Sequence, residues 1–109
     1  MSRVYIVNDS GYDLSDATKY TNEPFIVLTR GRVPFEPSTA VEMAKKLKDF
    51  QPEDFLILSG TPGLAVLAAS ILYQTNKIKV LNILLYNKMQ NKYLPRRING
   101  RMTLGVLDG

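Results

Sequence analysis

Asp54-Phe55-Leu56-Ile57-Leu58-Ser59-Gly60-Thr61-Pro62-Gly63 is the stretch on which the fold turns. The unbroken apolar run from Phe55 to Leu58 reads as a strand buried on both faces, the habit of parallel sheets. Ser59-Gly60 then breaks the chain. Thr61 stands at an N-cap position and Pro62 at the first helical position, where its missing N–H costs nothing. The helix that follows, to about Asn76, is apolar nearly all round, with Leu64, Val66, Leu67, Ile71 and Leu72 among alanines. Strand, tight turn and helix make half of a β-α-β unit, and the same pattern recurs upstream.

Val4-Tyr5-Ile6-Val7 is a β-branched and aromatic run closed by Asn8-Asp9-Ser10-Gly11, a strand running into a turn. Residues 12–24 are polar, and Ser15 reads as the N-cap of one or two helical turns ending at Tyr20. After Pro24, Phe25-Ile26-Val27-Leu28 is a second apolar strand, and Gly31 to Pro37 is a loop. Thr39 and Glu42 have capping-box spacing ahead of a helix whose apolar face is Ala40, Met43, Ala44, Leu47 and Phe50. Lys45, Lys46 and Lys48 lie toward its C-terminus, where the macrodipole favours cations. Downstream, Val80 to Tyr86 is a fourth strand and Asn87 to Lys92 a polar loop. Tyr93 to Ile98 is a further strand, placed at a sheet edge by Pro95, which cannot donate to a ladder. Asn99-Gly100 is a strong hairpin signal, and Met102, Leu104 and Val106 alternate as in a half-exposed return strand.

The order strand, short helix, strand, helix, strand, helix, strand predicts an α/β class chain. We expect one Rossmann-like domain over residues 1–109: four mainly parallel strands, two main helices in a three-layer arrangement, and a C-terminal antiparallel β-hairpin. The 45% apolar and 22% charged fractions are those of a globular protein. Cysteine is absent, which removes disulfides and thiolate metal sites and points to a reducing cytoplasmic compartment. Histidine is absent too, and with it the commonest general base. Binding without catalysis, cofactor or metal is therefore expected. The longest apolar stretch, Leu64 to Leu72, is far short of the ~20 residues of a membrane span.

Charge is divided by position. Residues 1–54 hold nine acidic against seven basic side chains, and residues 55–109 hold one against seven. A positive field on one half of a chain addresses an anion, and phosphate is the commonest. In open parallel sheets ligands bind beyond the carboxyl ends of the strands. Ser59, Gly60 and Thr61 combine a hydroxyl, a glycine that permits close approach, and the free amides of a helix N-terminus. A ligand-free capped turn would need only Thr61 and Pro62. Replacing Gly60 by Val is expected to block a phosphate while sparing the fold. Ser10 and Gly11 belong to the rim of such a site, with Tyr12 as a stacking ring. No GxGxxG or Walker lysine singles out a dinucleotide or triphosphate. Asp9, Asp13 and Asp16 match no calcium loop and read as turn formers. Lys88, Lys92, Arg96, Arg97 and Arg101 form a basic ribbon on the terminal hairpin, with Tyr86 or Tyr93 as a neighbouring stacking surface. The same charges would also keep an exposed edge strand from aggregating.

Asp54 to Pro62 resembles the strand-then-(S/T)GGTP turn of CRISPR-associated Rossmann-fold domains, with one glycine where that family has two. Those domains bind cyclic oligoadenylates as dimers. Over most of its length the chain is similar to a group of small phage-encoded proteins that share the Val-Tyr-Ile-Val-Asn-Asp-Ser-Gly start, a Val-Leu-Thr strand and a basic terminal hairpin. That likeness implies a viral origin and brings no activity with it.

The resulting expectation is a non-catalytic, virus-encoded binder of a phosphate-bearing ligand, either a nucleotide (cyclic ones included) or a nucleic acid. It would work in the host cytoplasm on host defence or nucleic-acid metabolism. The alternative is a protein–protein inhibitor or adaptor that sets its basic hairpin against an acidic host partner. A homodimer is expected from the surplus apolar face of the second helix.

Overall fold

The computed structural model describes residues 2–99. Five strands, β1 (Val4–Ile6), β2 (Ile26–Val27), β3 (Phe55–Ile57), β4 (Val80–Asn87) and β5 (Lys92–Asn99), form one sheet in the order β2-β1-β3-β4-β5. Pairings among the first four are parallel, and β4 and β5 are antiparallel. The chain leaves β1 in one direction to build β2, then returns past it to build β3 and β4. Two helices, α1 (Pro37–Leu47) and α2 (Pro62–Gln74), carry those returns, and a 3-10 helix (Ser15–Tyr20) lies between β1 and β2.

Strand alternation sends side chains to two cores. Tyr5, Leu56, Leu81 and Ile83 meet Met43 and Leu47 of α1 and Leu64, Ala68 and Leu72 of α2. Val4, Ile6, Ile57 and Leu84 face the other way, against Ala17 of the 3-10 helix and Tyr93 of β5. All three residues of β1 are buried, as its unbroken apolar run requires. Both main helices therefore cover one face of the sheet. The opposite layer is only the 3-10 segment with Leu14, Tyr20 and Phe25, thinner than the third layer expected from the element order.

Local starts and stops differ from expectation for identifiable reasons. The first short helix is of the 3-10 type, and Leu14 holds its N-cap position. Ser15 is instead bound by its amide to the carboxylate of Asp13 (3.0 Å), an Asx turn that feeds the helix. The capping box is not formed. Pro37 is already the first residue of α1, so Thr39 lies inside it and donates its hydroxyl to the Pro34 carbonyl (2.7 Å), while Glu42 pairs with Lys45 (3.5 Å). Phe50, beyond the helix end, still packs on the Tyr5 ring at 4.9 Å between centroids.

The antiparallel hairpin is built by β4 and β5 through the turn after Asn87, with Tyr86 opposite Tyr93 and Asn82 opposite Arg97. The expected return strand after Asn99-Gly100, with Arg101, Met102, Leu104 and Val106, lies outside the described residues. Among the described residues β5 is an edge strand, as Pro95 demands. That edge is partly closed. The Tyr93 amide donates to Asp16 (2.6 Å), its carbonyl accepts from the Tyr20 hydroxyl (2.8 Å), and Pro95 has no N–H to offer.

The outer stripe of α2 is Val66, Ser70 and Gln74, of which only Val66 is a large apolar side chain. Leu64, Ile71 and Leu72 are buried within the chain. The surplus apolar face expected to drive dimerisation is not presented by this helix.

Candidate ligand cleft at the carboxyl ends of the strands

The outward-going and returning crossovers part between β1 and β3, and there the segments after these strands are tied side by side. Asn8 follows β1 and is buried (2% exposed). Its side-chain amide donates to the Thr29 hydroxyl (2.8 Å) and the Gly31 carbonyl (2.8 Å), and its carbonyl oxygen accepts from Ser10. Thr29 passes its own proton to the Val7 carbonyl (2.6 Å). The Ser59 hydroxyl accepts from the Asn8 amide (3.1 Å) and donates to the Asn8 carbonyl (2.5 Å). A buried polar group without partners would cost a few kcal/mol, and here every one is matched. The loop's own outer side is held by an ion pair between Arg30 and Asp9 (3.0 Å), and Asp9 also accepts from the Gly11 amide (3.2 Å).

Gly60 sits where this network leaves no room. Its φ is +86°, and a Cβ on it would lie 2.6 Å from the Cβ of Asn8. Space beside Gly60 is thus taken by Asn8, and the expectation that Gly60→Val would spare the fold is corrected: a side chain there must displace the strand-end network. Thr61 is the N-cap residue of α2 by backbone, yet its side chain makes no capping hydrogen bond. The amides of Gly60, Thr61 and Gly63 make no hydrogen bond among the described residues. Three open N–H groups at the start of a 13-residue helix favour an anion.

Beside this turn is a cleft of ≈ 370 Å³ lined by Tyr12, Asp13, Ile57, Leu58, Ser59, Gly60, Leu84, Leu85, Tyr86 and Tyr93. Its size is that of a small-molecule site. Tyr12 stands 62% exposed on one wall and Tyr86, 45% exposed, on another. Tyr86 and Tyr93 lean on each other with centroids 5.1 Å apart. Burial pushes the Tyr93 hydroxyl above its usual range, so it stays protonated. Asp13 is the acid of the cleft. The Ser15 amide, then the Ser15 hydroxyl, holds its carboxyl below the usual range, so it is ionised at neutral pH.

Of the residues picked out in sequence, Tyr12, Ser59 and Gly60 line this cleft and Thr61 follows Gly60 in the chain, while Ser10 bonds to Asn8 and Gly11 to Asp9 and neither lines it. Ser59 differs from expectation in role, because its one proton is given to Asn8. Lys88 and Lys92 flank the turn at the same end of β4. Arg96 and Arg97 do not join them. Register puts Arg97 level with Phe55 at the opposite end of β3, four residues or ~13 Å back along the strands from Ser59. Asp9 pairs with Arg30, whereas Asp13 and Asp16 line one depression with Tyr86 and Asn91, and no group of three or more acids able to hold a metal occurs among the described residues. Sequence reading passed over Asn8 and Thr29 as binding elements. Each is a polar residue directly after an apolar strand, the one available sign that such side chains face each other.

Residues 2–100 match the family model described as phage Pam3 gp32-like protein. The chain belongs to that family. It is thus a phage-type protein, as the likeness to small phage-encoded proteins implied. Neither the curated proteins nor the solved structures contain a match. No helix among the described residues is long and apolar enough to cross a membrane.

Proposed function

We propose that this phage-family protein is a non-catalytic binder of a nucleotide, held in the cleft at the carboxyl ends of β3 and β4. The observation that carries the reading is that two exposed rings, Tyr12 and Tyr86, line one cleft with Gly60, whose amide is open and leads into the open amide of Thr61. A planar base fits the rings and a phosphate the amides. The cleft lies beyond the carboxyl ends of parallel strands, the side of such sheets where ligands commonly bind. Ionised Asp13 suits an exocyclic amino group or sugar hydroxyl. Its lowered pKa moves it away from general-acid work, and the chain offers no histidine or cysteine as a substitute. Withholding a nucleotide from the host is the action such a protein would have, whether against host defence or nucleic-acid metabolism. The adaptor reading has less support, since the β5 edge that a partner strand would join is occupied at Tyr93 and lacks a donor at Pro95.

Calorimetric titration with adenosine monophosphate and with adenosine tests it. We expect the nucleotide to bind at least about tenfold more tightly than the nucleoside, from charge-assisted bonds to the open amides. Tyr12→Ala should weaken the nucleotide about 5- to 100-fold, the worth of one base–aromatic stack. Tyr12 is mostly exposed, so this replacement leaves the core intact. Equal affinity for the two probes, or for wild type and Tyr12→Ala, would refute the reading.

A further inference from the structure

The other end of the sheet carries a separate feature. A groove of ≈ 850 Å³ runs along the amino ends of β3 and β4, and four cations converge on it: Lys48 after α1, Lys77 and Lys79 between α2 and β4, and Arg97 of β5. None of the four makes an ion pair or a side-chain hydrogen bond among the described residues. Glu53 is the one carboxylate among the lining residues, and it too is exposed. Asn82 and Arg97 also line the adjoining depression that holds Arg96, so the basic tract continues across the sheet edge.

Helix ends account for part of this charge. Both α1 and α2 point their C-termini here, and each terminus carries about half a negative charge, which Lys48 and Lys77 offset. On the groove's own surface Lys79 and Arg97 remain, and four cations there face one lining carboxylate, Glu53. Unpaired cations drawn from three distant parts of the chain repel one another, which an anion spanning them would relieve.

We infer that this groove docks the phosphodiester backbone of duplex nucleic acid. The charge fits phosphate, and nothing in the groove fits a base. Among the described residues the exposed large apolar side chains, including Tyr12 and Tyr86, all lie elsewhere, and Phe50 in the groove is buried. Single strands are gripped by stacking on exposed rings, whereas a duplex keeps its bases inside and shows phosphates. Binding here is therefore indifferent to sequence and dominated by counterion release. It does not rest on the nucleotide reading of the cleft, which uses other residues at the opposite end of the strands.

Fluorescence anisotropy with a labelled 20-base-pair duplex of arbitrary sequence decides it. Affinity should fall on the order of 100-fold between about 50 and 200 mM salt if four phosphates are contacted. The double variant Lys79→Gln with Arg97→Gln should weaken binding at least tenfold and flatten the salt dependence. Arg32→Gln with Lys45→Gln removes the same net charge elsewhere on the chain and should change affinity less than threefold. Equal losses in the two doubles would show net charge alone and overturn the inference. So would tighter binding of the matching single strand, equal binding of poly-glutamate, or no salt-dependent binding at all.

Discussion

At the carboxyl ends of β1 and β3, side chains are spent on one another: Asn8, Thr29, Ser59 and Ser10 satisfy each other and the turns, while the backbone amides of Gly60, Thr61 and Gly63 stay open. At the amino ends the arrangement is reversed. There the backbone is taken up, with both oxygens of Asp54 accepting amides, from Arg3 (2.8 Å) and Gln51 (2.8 Å). Asn82 donates to the Pro52 carbonyl (3.0 Å) and Asn76 to the Leu47 carbonyl (2.8 Å). What stays open are cationic side chains. The two ends thus offer an anion different things. Fixed amides recognise shape at close range, and their hydrogen bonds respond little to salt. Mobile lysines and arginines supply a field that salt screens.

If the amino end is held by its buried carboxylate rather than by its cations, Asp54→Ala should be the most damaging single change. Asp54 is 1% exposed, and its loss strands two amides that had charge-assisted bonds. We expect about 3 kcal/mol or more lost in urea unfolding. A cost under about 1 kcal/mol would mean the β3 entry is held by something else.

The carboxyl end should break next most easily at Gly60. An added methyl meets Asn8 at 2.6 Å and must also tolerate φ +86°, so Gly60→Ala is expected to cost roughly 2–3 kcal/mol. Gly11 separates the two contributions. Its φ is +89°, yet nothing lies within 4 Å of a Cβ there. Gly11→Ala should then cost only about 1 kcal/mol, the backbone part alone. Equal costs at the two glycines would show that the contact with Asn8 does not matter.

These residues also mark what was legible in the chain. The apolar runs Val4–Val7 and Phe55–Leu58 gave parallel strands, because burial on both faces excludes polar residues from every position. Pro62 announced the start of α2, and Pro95 the edge strand, since each lacks a donor that other places need. The Thr39–Glu42 spacing misled because Pro37 could begin the helix three residues earlier, with Glu36 rather than Thr39 at the N-cap position. Charge misled in another way. Seven cations lie downstream of Asp54, but the chain returns through α2 to start β4 and turns back into β5, so chain order mixes the two ends of the sheet. Lys88 and Lys92 went to one end and Lys77, Lys79 and Arg97 to the other. The pairing of Asn8 with Gly60 was invisible, since nothing local in either segment states which strands become neighbours.

Acid should loosen the two ends unequally, and this is the smallest effect expected. Asp16 joins the 3-10 helix to β5 through the Tyr93 amide, and that bond, helped by Lys19, holds its carboxyl below the usual range. Asp13 is held low by Ser15. A folded-state pKa below the unfolded value of about 3.9 gives stabilisation that is complete above that value. It is lost as pH falls through the lowered folded value. Below about pH 4 the cleft wall formed by Asp13, Tyr86 and Tyr93 should therefore open before the sheet does. Amide exchange at Tyr93, corrected for its intrinsic pH dependence, should accelerate between about pH 4 and 2, ahead of Leu56 in the central strand. In Asp16→Asn the uncharged side chain can still accept from Tyr93, so exchange there should be faster at pH 7 and nearly flat on acidification. If wild-type Tyr93 and Leu56 accelerate together, the carboxylates of the 3-10 segment hold no separate unit, and the thin second layer is as firmly joined to the sheet as α1 and α2 are.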